Sequence, residues 1–110
     1  MAGPSNRVRL VARRMSDLDR AYPDYGVYAG PQLVGRIYQT RSEQWNWAIN
    51  SITVDATVGC RMSGYAASMP EAQAALLPAF NRWLEWALAI PRTDFKYAPV
   101  DRNLKAIGVR

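Results

Sequence analysis

Three aspartates in one short stretch, Asp17, Asp19 and Asp24, are the side chains best suited to hold a hard cation. Mg²⁺ takes oxygen ligands, and clustered carboxylates supply them. A metal-dependent nuclease would need such a cluster, ideally with a lysine nearby. The spacing is not that of an EF-hand, because no glycine and no closing glutamate stand where that loop requires them. Loop aspartates are common without any ligand, and that is the reading preferred here.

Cys60 is the second candidate, since the neighbouring Arg61 would favour a thiolate nucleophile. Its usual base is missing, because the chain contains no histidine. That absence excludes more than any motif includes. Histidine-ligated zinc, Ser-His-Asp and Cys-His nucleophiles, and histidine general bases are all impossible within one chain. A lone cysteine in a strand is usually a small hydrophobe, and a single cysteine allows no internal disulfide, which fits a reducing cytoplasm. The glycines form neither a dinucleotide fingerprint nor a phosphate loop and read as turns and bulges. A non-enzymatic chain is expected, with no metal and no cofactor.

Binding chemistry is better represented. The net charge is +5 and is unevenly placed. Residues 1–41 hold seven arginines and three acids, residues 42–90 two arginines and four acids, and residues 91–110 five basic residues and two acids. Basic ends around a slightly acidic middle suit an anionic partner, although such charge can equally serve solubility. Arg7, Arg9 and Arg13 alternate with Val8, Leu10 and Ala12. A strand there would carry an arginine row on its outer face, which also protects a sheet edge. Arg36 is expected to join that exposed row, with Lys96, Arg102 and Lys105 nearby. Trp45 and Trp47 could stack on bases between basic residues, but facing an amphipathic helix they build a core instead, and core is the expectation. Trp86 falls at the margin of the helix stripe, where it could anchor a partner or stand as a half-buried boundary residue.

The elements that must position these residues follow from periodicity. Residues 1–6 read as a flexible leader, residues 7–90 as one domain and residues 91–110 as a basic tail, docked as an extra strand or mobile. After the first strand, Met15–Tyr25 reads as a loop or short helical turn. Ala29-Gly30-Pro31-Gln32 marks a turn between Val27–Tyr28 and Leu33–Thr40. In the second arm Leu33, Gly35, Ile37 and Gln39 alternate with Val34, Arg36 and Tyr38. Trp45–Ile52 is the clearest strand, with Trp45, Trp47 and Ile49 on one face. A last strand is expected near Val58–Ser63. Ser68-Met69-Pro70-Glu71 is a capping box, in which Ser68 caps the Glu71 amide. Pro70 falls in the first turn, where its missing N–H costs nothing. Ala72, Leu76, Ala79, Phe80, Trp83 and Ala87 then form one apolar stripe, opposite Glu71, Ala74, Pro78, Asn81, Arg82 and Glu85. Pro78 on the polar side can bend the helix around a sheet.

The strings Val34-Gly35-Arg36-Ile37-Tyr38, Trp45-Asn46-Trp47 and Gly64–Ala72 together resemble a family of small proteins from alphaproteobacteria and their mobile elements. The resemblance covers roughly residues 25–88 and implies no activity, because none is assigned to that family. Gly64–Ala72 alone is similar to the strand-to-helix junction of HicB-like antitoxins, which have a partial RNase H-like domain. The chain lacks the separate DNA-binding element of those antitoxins, so no repressor role is implied.

The expected fold is two-layer α+β: an antiparallel sheet of three or four strands with one long C-terminal amphipathic helix across one face. The expected function is a binding module that meets nucleic acid, non-specifically, or an acidic protein surface through its basic edge and tail. The alternatives are a mobile-element inhibitor or adaptor acting on one host protein through Trp86 and the sheet edge and, less favoured, a metal-dependent enzyme using the aspartates. No apolar run reaches the roughly 20 residues of a membrane span.

Overall fold

Alternating apolar residues build five strands in succession: β1 (Leu10–Arg14), β2 (Asp24–Ala29), β3 (Gln32–Gln39), β4 (Trp45–Ile49) and β5 (Ser63–Ala66). The computed structural model describes residues 8–15, 22–91 and 95–109. The leader 1–6, Arg7, Asp17 and Asp19 therefore lie outside the described residues. The strands form one antiparallel sheet in sequence order, β1-β2-β3-β4-β5. Two helices follow, α1 (Met69–Ala89) and α2 (Ala98–Ile107). The fold is α+β, with five strands rather than three or four.

The segment after β4 departs from the expected bounds. The strand expected near Val58–Ser63 starts later, after a 3-10 turn at Ala56–Val58 begun by Asp55, whose carboxylate accepts from the Thr57 amide at 2.8 Å. Gly59 closes that turn with φ of 81°. The strand begins only at Ser63 and pairs with β4.

Helix α1 starts where its capping box places it. The Ser68 hydroxyl accepts from the Glu71 amide at 3.2 Å, and Pro70 lies in the first turn. The helix runs through Pro78 and ends before Pro91. It packs on β3, β4 and β5. Its stripe residues Leu76, Phe80 and Trp83 are fully enclosed, joined by Val27, Ile37, Trp47 and Ile49 from the sheet. Phe80 and Trp83 stack with ring centroids 5.8 Å apart. The Trp83 indole donates to the Thr53 carbonyl at 2.8 Å, so burying its N–H leaves no unmet donor.

In the tail, the extra strand is replaced by α2. Val100, Leu104 and Ile107 recur at helical spacing and are buried in the same core as α1. Gly108 ends the helix in the left-handed region, φ 95°, which favours glycine.

Candidate functional site

The register divides the sheet into two faces. Leu10, Ala12, Val27, Ile37, Trp47 and Ile49 occupy the face under α1. No described element packs on the opposite face. Across it run three rows of register partners. One holds Val11, Tyr28 and Leu33; the next Arg13, Gly26, Arg36, Ala48 and Ser63; the third Asp24, Tyr38, Asn46 and Tyr65. Tyr65 is 66% exposed, and Val11 and Met15 are each 41% exposed, so the face is accessible to a partner.

Sequence reasoning placed Val34 with Arg36 and Tyr38. A bulge overturns that detail. Val27 pairs with Gly35 but Tyr28 pairs with Leu33, so β3 carries one extra residue between them. Leu33 thus joins the open face, whereas Val34 is completely buried.

Each described arginine of the open face lies over a tyrosine. The Arg13 guanidinium is 5.0 Å from the centre of the Tyr28 ring, and that of Arg36 is 4.7 Å from the centre of Tyr38. Between the pairs Gly26 contributes no side chain. A Cβ there would come within 3.0 Å of the Tyr28 ring and 3.1 Å of Leu33. A shallow hollow of about 210 Å³ opens beside it, lined by Met15, Leu33, Arg36, Asn50 and Ser51.

Arg36 shares the open face with Arg13 but is ion-paired there. Its fork grips Asp24, with Nε donating to Oδ1 at 2.8 Å and the terminal nitrogen to Oδ2. Asp24 is buried at 3% exposure, and its hydrogen bonds hold the Arg36 guanidinium proton more tightly than usual. The pair holds the Arg36 guanidinium near the Tyr38 ring with its charge met by Asp24. Arg9 and Arg13 remain exposed on the β1 side.

The tail cations are not beside this row. Lys96, Arg102 and Lys105 belong to the segment that packs against α1, in the helix layer. Lys105 pairs with Asp101 at 3.0 Å, and Lys96 lies 5.4 Å from the centre of the Tyr97 ring. Trp86 is half-buried, donates to the Thr57 hydroxyl at 2.9 Å and meets Tyr97 edge-on. Its polar tip is thus already engaged within the chain. Trp47 is buried and Trp45 half-buried, both on the helix face, Trp45 with its ring 6.4 Å from that of Tyr25. Neither tryptophan belongs to the open face.

Cys60 is exposed, and among the described residues no three of His, Cys, Asp and Glu gather as metal ligands. No described helix is long and apolar enough to cross a membrane.

The tyrosines are the residues that sequence reasoning missed. Tyr38 could have been found, because it alternates in phase with Arg36 in the same strand. Tyr28 likewise alternates with Val27 in β2, whereas Tyr65 depended on the true start of β5. No protein-family model matches the chain, and no curated protein or solved structure matches it.

Proposed function

We propose that this protein is a non-enzymatic binding module that holds single-stranded nucleic acid, without sequence preference, on the uncovered face of its sheet. The observation that carries the reading is the placement of Tyr28, Tyr38 and Tyr65 on one open face with Arg13 and Arg36. Aromatic rings on an accessible sheet offer stacking surfaces to bases, and the exposed Arg13 meets the backbone phosphates. Among the described residues no base-reading helix or ribbon stands over this face, which favours binding without sequence choice.

The test is a titration of a fluorescent oligothymidylate at low and moderate salt. Binding in the range of about 10⁻⁴–10⁻⁶ M that weakens steeply with salt is expected. Tyr65→Ala and Tyr28→Ala should each lose about 1–3 kcal/mol of affinity. Arg13→Ala should lower the salt slope by about one unit. Absence of binding at low salt overturns the reading.

A further inference from the structure

Strand β1 ends the sheet, and its outer edge is free of any other described strand. The Met15 amide donates to the Asp24 carbonyl at 2.9 Å. In an antiparallel ladder such bonds alternate, so Arg13 and Val11 also face β2. Leu10, Ala12 and Arg14 therefore direct their N–H and C=O groups outward. Beneath this edge, on the helix face, lies a groove of about 560 Å³. It exists because α1 packs on β3, β4 and β5, leaving the β1 side of the sheet overhanging. Val8, Arg9, Leu10, Ala12, Leu76 and Leu77 are among the residues that line it, and Leu77 is 43% exposed.

We propose that this edge and groove receive an extended segment of a partner protein as a sixth strand, with apolar and acidic residues in alternation. The edge supplies main-chain hydrogen bonds, and the groove takes every second side chain. The charge selects the rest. Arg9, Arg13 and Arg14 are exposed along the strand, and neither β1 nor the lining of the groove contributes a carboxylate. A second copy of β1 would bring its own arginines against these, which disfavours self-pairing. A strand with Val or Leu against Leu10, Ala12 and Leu77 and with carboxylates in reach of Arg13 on the open face and of Arg9, which lines the groove, satisfies both at once. This inference uses the edge of the sheet and does not rest on the tyrosine face.

The test uses a labelled synthetic peptide of about eight residues that alternates Glu with Val and Leu, a length typical of a strand. Its control has the same composition with the glutamates in one block. The full chain is expected to bind the alternating peptide at least about tenfold more tightly at low salt, and less tightly as salt screens the charges. Ala12→Pro deletes an outward N–H but no bond to β2, so a chain with an unchanged melting curve should bind the two peptides equally. Arg9→Glu with Arg13→Glu should lose the acidic peptide and acquire binding to its lysine counterpart, which keeps the proposal testable where the proline unfolds the chain. Equal binding of both peptides by the unaltered chain, or none at low salt, overturns it. So does dimerisation abolished by Ala12→Pro, which would assign the edge to a second copy. Tyr65→Ala leaves the edge intact and should not change peptide binding, whatever it does to oligonucleotide binding.

Discussion

At the scale of single residues, burial and polar pairing set the costs. Phe80 is fully enclosed and stacked on Trp83, so Phe80→Ala should destabilise the fold by about 3–5 kcal/mol in chemical denaturation. Ser68→Ala removes an acceptor from the Glu71 amide and should cost about 1 kcal/mol. Asp55 gives a pH signature. Hydrogen bonds from the Thr57 amide and hydroxyl hold its carboxyl below the ordinary range. A lowered pKa in the folded state contributes stability above the unfolded value and loses it as pH falls through the folded one. Asp55→Ala should therefore melt below the unaltered chain at neutral pH, with the gap narrowing as acid protonates the carboxylate. Leu76, Phe80 and Trp83 were legible in sequence, because helical spacing alone assigns a face. The Asp24–Arg36 fork was not. It joins adjacent strands on a diagonal, and only the register of β2 against β3 brings the two together.

At the scale of elements, close approach of strands explains a glycine that propensity would discourage. A Cβ on Gly35 would stand 2.3 Å from the Ala48 carbonyl oxygen in β4. Gly35→Ala must push β3 and β4 apart, and a loss of about 1–3 kcal/mol or more is expected from thermal or urea melts. Helix α1 was readable from end to end, since its cap, stripe and closing proline agree. Helix α2 was hidden among basic residues, although Val100, Leu104 and Ile107 follow helical spacing. Its identity rests on tertiary burial, and the Asn103 side chain helps seat it by accepting from the Thr53 amide at 2.8 Å. Strand β5 was misplaced because Val54–Met62 has no sustained alternation, and a 3-10 turn occupies part of it.

At the scale of the whole molecule, the core and the candidate face lie on opposite sides of one sheet. Changes should therefore separate cleanly. Leu104→Ala, inside the core, should cost about 2–5 kcal/mol. Tyr65→Ala, on the open face, should change stability by less than about 0.5 kcal/mol while altering affinity. The two-layer architecture was legible because strands and helix carry different periodicities. The open face was not, since which side a helix covers depends on register and bulges. The order of elements along the chain also has a consequence for synthesis. The whole meander leaves the ribosome before either helix does. Until residues 69–107 emerge, Val27, Ile37, Trp47 and Ile49 present a bare apolar surface. A nascent chain arrested just after Ala66 should be quickly cut by added protease and should recruit chaperones, whereas release of the helices should close the core and confer protection.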